Sequence, residues 1–235
     1  FTPAGNETVT VDYAGMSCPF GTKLLFCHKK LPELVVAAEI CEDVWGQMPP
    51  SVSHCAAGAT VVVNLSASNE LIGKPDYRRS LIKQNSAHNI CGYVYTSAGP
   101  GESTTDLVFS GHSMICEDGS LLAERAPFSD EAILCGDIDV KKLTYSRSQN
   151  NVFRCRDDAD YTKIPFGDTL AVTELERKFA RRPFVPDDDN VRGSRCGLIL
   201  DMQSAALAKR IDHTHAKKAV VGISGGLDST LALIV

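Results

Sequence analysis

Thr60-Val61-Val62-Val63-Asn64-Leu65 is a continuous apolar run, the mark of a strand covered on both faces. A short helix is expected before it, over residues 51–57, with Gly58 as its stop. A longer one is expected after it, over residues 76–90, opened by Pro75, with Leu81, Ala87 and Ile90 among its apolar positions. Further out, residues 23–27 and 34–40 read as strands around a turn near Leu31-Pro32-Glu33, and residues 7–12 alternate as a half-buried strand does. Downstream, residues 93–95 and 106–109 read as strands around the loop 98–102. Asp118-Gly119 is a hairpin turn between 113–116 and 121–124, and 133–140 is expected as a last strand. Strands, helices and hairpins mixed in this way point to an α/β domain built on a mixed sheet.

The remainder of the chain is organised differently. Residues 147–166 are polar and irregular, 170–180 read as helix-like, and 183–190 carry two prolines and three adjacent aspartates, the composition of a linker. Residues 194–213 have a helical pattern, and Ala219-Val220-Val221-Gly222-Ile223 reads as a buried strand. The expected division is a first domain over 1–150, a linking segment over 151–192 and the start of another domain over 193–235. The chain begins without Met and stops within a helical pattern, so a piece of a longer protein is expected.

Composition narrows the function classes. In 235 residues there are 24 Lys and Arg against 29 Asp and Glu, a net charge of −5 that argues against nucleic acid or anionic membrane as the main partner. No apolar run approaches the roughly 20 residues of a spanning helix. The nine cysteines include no pair at Cys-x-x-Cys spacing, and most stand in apolar surroundings. That usage predicts structural thiols and a cytoplasmic, reducing setting. His213 and His215 are two apart, share no helix face and read as surface.

The most specific local signal is Gly222-Ile223-Ser224-Gly225-Gly226-Leu227-Asp228-Ser229-Thr230, following an apolar run and leading into a helical one. Backbone N–H groups in such a turn point inward, glycine lets oxygens approach, and the helix dipole favours an anion. Ser224 and Ser229 add hydroxyls, and Asp228 is the candidate Mg²⁺ ligand against phosphate oxygens. A Walker A loop needs a lysine after Gly226 and has none. The letters also satisfy Gly-x-Ser-x-Gly, the nucleophile elbow of α/β-hydrolases, whose histidine follows the serine; no histidine follows Ser224. The third reading is the Ser-Gly-Gly-x-Asp-Ser loop, which resembles that of the PP-loop ATP pyrophosphatases. A glycine-rich turn without a ligand is the remaining alternative.

Cys41 ends the apolar run 34–40 and opens Cys41-Glu42-Asp43-Val44-Trp45, a thiol where a buried strand meets a turn. On residue type alone a buried structural cysteine is the commoner case. However, Ile40 to Trp45, then Gly58-Ala59-Thr60, Asn64-Leu65-Ser66-Ala67-Ser68, Gly73-Lys74, Tyr77-Arg78-Arg79 and the run 97–106 together resemble the nucleophile region of nitrilase-type amidases. The version here is similar to the glutaminase domain of the glutamine-dependent NAD synthetase family, and residues 197–235 resemble the start of that family's synthetase domain.

The resemblance implies a nitrilase-like α-β-β-α sandwich, truncated at its N-terminus, then a linker and the first strand-loop-helix of a Rossmann-like PP-loop domain. It implies an ATP-dependent, cytoplasmic, homo-oligomeric ligase. Glutamine is hydrolysed at one site, and its ammonia amidates adenylated deamido-NAD at the other, with Mg²⁺ and no prosthetic group. By motif position Cys41 is the nucleophile and Glu42 gives a backbone N–H to the oxyanion. Trp45 walls the pocket, Ser68 and Lys74 contact glutamine, and Gly222, Ile223, Ser224, Gly225, Gly226, Leu227, Asp228 and Ser229 hold ATP. The other readings make Trp45 plain core and Lys74 a solvated surface lysine. Alternatives for the whole are a free-standing nitrilase-type amidohydrolase, which the glycine-rich loop argues against, and a non-catalytic truncated fragment.

The family's amidase triad also needs a glutamate and a lysine before the cysteine. Lys23, Lys29, Lys30, Glu33 and Glu39 precede Cys41 but match neither. Without that lysine, Glu42 and Asp43 leave a field that disfavours a thiolate. This 235-residue chain is therefore expected to react with iodoacetamide at Cys41, at neutral pH, more slowly than free cysteine does. Quantitative peptide mapping checks this, and faster labelling would count against it.

Overall fold

The computed structural model describes residue 5 and residues 7–102, 106–153, 158–172 and 174–235. Ser103, Thr104, Thr105 and Cys155 lie outside the described residues. Chain contacts divide the molecule into two units, one up to Arg177 and one from Lys178 onward.

The first unit is built on a mixed seven-stranded sheet. Strands β3 (Leu24–His28), β4 (Val35–Ile40), β5 (Val61–Ser66), β6 (Gly92–Ser97), β7 (Ser113–Glu117), β8 (Ser120–Arg125) and β9 (Thr162–Phe166) stand in the order β8-β7-β6-β5-β4-β3-β9. β4, β5 and β6 run parallel, joined by crossovers through the helices α1 (Pro50–Ala56) and α2 (Lys74–His88). β3, β7 and β8 join by antiparallel pairing. A separate two-stranded ribbon pairs β1 (Val9–Tyr13) with β2 (Met16–Phe20).

The core follows strand alternation. Register places Ala37, Val62, Tyr93 and Cys116 in one row across the sheet, and Glu39, Asn64, Tyr95 and Met114 in the next. Val62, Tyr93, Tyr95, Met114 and Cys116 pack with Ile82 of α2 and Cys55 of α1. On the opposite face Val61 is buried, whereas Ile40 and Leu65 are half-exposed, so β5 is covered on both faces only at its start. The hairpin turn carries φ of 46° at Asp118 and 79° at Gly119, the paired left-handed geometry of a two-residue primed turn.

Several expected elements differ. Residues 106–109 form no strand; the Val108 carbonyl accepts from the Glu70 N–H at 2.7 Å. Nor do 133–140, because Asp139 caps a helix, α3 (Val140–Gln149), by accepting from the Lys142 N–H at 2.9 Å. Asp137 accepts from the Glu176 and Arg177 N–H groups at 2.8 and 2.9 Å, and the described residues of 170–180 form no helix, where one was expected. The stretch 147–166, expected to be irregular, contains the end of α3 and the edge strand β9, parallel to β3. Its Pro165 masked the strand pattern and is accommodated at an edge. α2 buries Arg78, Ile82 and Ser86, while Ala87, expected inside, is exposed.

In the second unit α4 (Asp189–Thr214) starts within the expected linker, capped by Asp188, and α5 (Leu227–Ile234) follows the glycine-rich loop. Residues 219–223 form no strand among the described residues: nothing pairs with them, and Val220 is 96% exposed. An apolar run becomes a strand only where a neighbour takes its backbone hydrogen bonds.

Glu117, fully buried at the end of β7, organises the edge of the first unit. It accepts from the Asp139 N–H, from Lys142 Nζ and from both terminal nitrogens of Arg177, at 2.7 to 2.8 Å. Burial pushes its pKa up, but the bonds from Arg177, Lys142 and Asp139 outweigh burial and hold it at about 2. A depressed carboxyl pKa contributes stability above the unfolded value, and that stability is lost as pH falls toward the folded value. The contribution is about 3 kcal/mol. Glu117→Gln is expected to be less stable than wild type in urea at neutral pH, with the gap closing as pH falls below about 4; a pH-independent gap would refute this origin.

Candidate active site

At the carboxyl end of β4 the chain reverses sharply. Cys41, partly buried, has φ of 52°, a left-handed conformation that costs a non-glycine residue about 1–2 kcal/mol. It opens a 3₁₀ turn, Cys41–Trp45. Asp43 clamps both ends of that turn: its carboxylate accepts from the Ile40 N–H at 2.7 Å and its carbonyl from the Gly46 N–H at 3.2 Å. Because β4, β5 and β6 are parallel, Cys41, the segment to Ser68 and Ser97 all emerge at the same edge, where α/β sheets place ligands.

The other expected residues gather there. Lys74, first residue of α2, donates to the Asn69 carbonyl at 2.7 Å and to Asn69 Oδ1 at 2.9 Å, and its ammonium lies 5.7 Å from the Trp45 ring centre. Burial, then the charge of Arg78, lower the Lys74 pKa; Glu70 and Cys41 act against them. Lys74 is thus a half-buried group within electrostatic reach of the Cys41 sulfur, not a solvated surface lysine. Trp45 packs against the core and stacks on Tyr77, with ring centres 5.6 Å apart and planes at 11°. Ser68 is buried; its N–H donates to Ser97 Oγ and its hydroxyl accepts from Arg78, both at 3.2 Å. Glu42 is exposed on the 3₁₀ turn.

Beneath these residues lies a polar network that sequence reasoning did not single out. Arg78, with no solvent exposure, donates to Glu70 Oε2 at 3.2 Å and to His112 Nδ1 at 2.8 Å, and its guanidinium lies 5.8 Å from the Tyr95 ring centre. An arginine can only donate, so His112 Nδ1 must accept and its proton sits on Nε2, 2.8 Å from Glu124 Oε1. Burial, with Arg78 and Arg79 nearby, lowers the His112 pKa against the pull of Glu124, which agrees with a neutral ring. Arg79 in turn holds Glu124 through three bonds of 2.7 to 3.1 Å, and Glu70 also accepts from Ser110. Among the described residues, four buried atoms here lack a hydrogen-bond partner: Asn64 Nδ2, Glu70 Oε1, Arg78 Nε and Tyr95 Oη. One signal was available, since Arg78, Ile82 and Ser86 fall at helical spacing on one face.

A second inward-facing carboxylate, Glu39, lies two residues before Cys41. It accepts from the Ser51 N–H at 2.8 Å in the first turn of α1 and binds the Tyr93 hydroxyl. This carboxylate ties the base of the Cys41 turn to a helix N-terminus.

In the second unit the loop 222–226 carries Gly225 at φ of 83°. The Ser224 N–H donates to Ser229 Oγ at 3.2 Å, and the two hydroxyls lie 3.3 Å apart. Asp228 stands exposed in the first turn of α5. Among the described residues no group of three or more His, Cys, Asp or Glu side chains is arranged to hold a metal, so Asp228 offers a single carboxylate.

No family model matches the chain. Over 99% of its length it is 39% identical to the glutamine-dependent NAD(+) synthetase of Mycobacterium bovis, and it covers 36% of that protein. The Mycobacterium leprae protein of the same name matches with the same identity and coverage. The chain is homologous to one segment of the glutamine-dependent NAD(+) synthetases. It therefore spans about a third of the length of the curated synthetases it matches. Among solved structures, the glutamine-dependent NAD(+) synthetase of Cytophaga hutchinsonii is 28% identical, with 57% of this chain and 21% of that chain covered at a TM-score of 0.46. No helix among the described residues is long and apolar enough to cross a membrane.

The left-handed backbone at Cys41 bears on stability. Cys41→Gly, which relieves the left-handed backbone, is expected to raise unfolding free energy by about 1 kcal/mol, net of glycine's greater unfolded-state entropy. Cys41→Ala keeps the strain and is expected to change little. Parallel urea titrations check both, and a Gly variant less stable than the Ala variant would show that the turn is not strained.

Proposed function

We propose that this chain belongs to a glutamine-hydrolysing NAD synthetase in which Cys41 is the nucleophile of the glutaminase half and residues 222–229 hold ATP in the other. The observation that supports this most is Cys41 itself: a partly buried thiol on a strained turn at the carboxyl end of three parallel strands, with Lys74 and Trp45 beside it. In this reading the Cys41 sulfur attacks the side-chain amide carbon of glutamine. Backbone donors of the 3₁₀ turn, that of Glu42 first, stabilise the oxyanion, ammonia leaves, and water releases glutamate from the thioester. Ser68 and Lys74 bind the amino-acid end of the substrate, and Trp45 closes one wall. The unpartnered Glu70 and Arg78 atoms supply polar capacity that bound water or substrate satisfies.

On the synthetase side the residues fit a triphosphate. The glycine loop and the start of α5 offer backbone donors and two hydroxyls. The single carboxylate of Asp228 would help hold Mg²⁺, and the ion would supply charge neutralisation for the departing pyrophosphate. Adenylation makes the nicotinate carboxylate of deamido-NAD an electrophile, and ammonia displaces AMP. The eight cysteines among the described residues are all free, which supports a cytoplasmic setting.

In the full-length protein, Cys41→Ala is expected to lower glutamine-dependent NAD formation by at least about a thousandfold while sparing synthesis from added ammonia. Asp228→Ala is expected to depress both activities. Glutamine-dependent synthesis that survives Cys41→Ala would overturn the assignment.

A further inference from the structure

Lys74 and Arg78 stand one turn apart on α2 and grip three consecutive residues of the segment after β5. Arg78 donates from one terminal nitrogen to Ser68 Oγ at 3.2 Å, and from the other to Glu70 Oε2 at 3.2 Å and His112 Nδ1 at 2.8 Å. Lys74 donates to the carbonyl and the side-chain oxygen of Asn69, between those two residues, at 2.7 and 2.9 Å. Arginine has no acceptor atom, so along its bond to Arg78 the Ser68 oxygen can only accept. The Ser68 hydroxyl proton is therefore turned away from the guanidinium. Among the described residues no acceptor takes it, because the contact with Ser97 Oγ at 3.2 Å is made by the Ser68 N–H.

Lys74 has a donor to spare as well. An ammonium carries three N–H bonds, and its contacts with Asn69 use two of them. Glu70 balances the charge of Arg78, whereas among the described residues no carboxylate is in ion-pair contact with Lys74. This edge of the sheet thus presents uncommitted donors and an unbalanced positive charge, the chemistry that receives an anion.

We propose that Arg78 is a positioning residue that fixes the Ser68 hydroxyl as a donor, so that this end of the pocket takes the α-carboxylate of glutamine and rejects its ammonium. The proposal rests on the reading of Cys41 as the glutaminase nucleophile and adds which charged group of the amino acid Ser68 meets. A free serine can turn a lone pair toward an ammonium. A serine already accepting from a buried guanidinium meets a second cation only against that charge, while a carboxylate gains from both. Glu70 and His112 hold the guanidinium in place, which makes the direction of the Ser68 proton a property of the folded chain rather than of the substrate.

The test compares amide donors for NAD formation by the full-length protein. Glutaramate, which lacks the α-amine of glutamine, is expected to exceed 4-aminobutanamide, which lacks the α-carboxylate, by at least about a hundredfold in kcat/KM. Equal use of the two would overturn the proposal, and this comparison needs no variant to fold. Arg78→Lys keeps a charge but not the fork that reaches Ser68, Glu70 and His112 together. Arg78→Lys and Ser68→Ala are each expected to raise KM for glutamine about tenfold with kcat changed far less, and the double variant no more than either alone. A purely structural role for Arg78 predicts effects that multiply instead; that result, or a wild-type KM in folded Arg78→Lys, would overturn the proposal. Synthesis from added ammonia reports whether each variant has folded. Cys41→Ala separates the two levels: glutamine-dependent synthesis that survives it sinks the glutaminase reading, whereas its loss together with equal use of the two analogues sinks this inference alone.

Discussion

A guanidinium shut away from water must be surrounded by acceptors, and Arg78 imposes that requirement on the whole carboxyl edge of the sheet. It ties Ser68 at the end of the β5 segment to Glu70, and Glu70 to Ser110, so two loops from different parts of the chain meet on one cation. Through His112 the same demand reaches Glu124 of β8, which Arg79 holds from the next position of α2. The helix buries an arginine where a leucine would be ordinary, and the stretch 106–112 gives up strand structure to meet it. Charge satisfaction outranks local propensity here.

Strain at Cys41 belongs to the same construction. A left-handed cysteine persists only if its neighbours over-determine it, and Asp43 and Glu39 do so from either side of the turn. Glu39 fixes the strand to α1, Asp43 closes the turn upon itself, and the sulfur is left at the edge next to Lys74. At the other end of the sheet Glu117 plays an equivalent part, holding Lys142, Arg177 and the Asp139 N–H where strand pairing is absent. Two buried carboxylates, Glu39 and Glu117, and the partly buried Glu70 therefore each pin irregular chain in the first unit.

The elements legible in the sequence share a property: their hydrogen bonds are local, or their apolar pattern is strong. β4, β5, the Asp118-Gly119 hairpin, α1, α2 and α4 were all readable on those grounds. The misread stretches, 106–109, 133–140, 170–180 and 219–223, are ones whose backbone partners lie far away in sequence or are not strands at all. Asp137, for instance, takes the two N–H groups that a helix over 170–180 would have used. Cys41, Trp45 and Lys74 were found through their motif, while Glu70, Ser110 and His112 escaped because nothing in their local sequence marks a buried ion network.

What the sequence alone determined is the α/β class, the thiol at the end of β4, the glycine-rich turn before α5 and the kinship of the chain, since these rest on periodicity and short motifs. Tertiary structure alone decided that Arg78 is interior, that Lys74 leans on Trp45 and that His112 is neutral. Those facts depend on which side chains converge from distant positions in a low-dielectric core, where each buried charge or donor must find a partner, and no local pattern encodes that convergence.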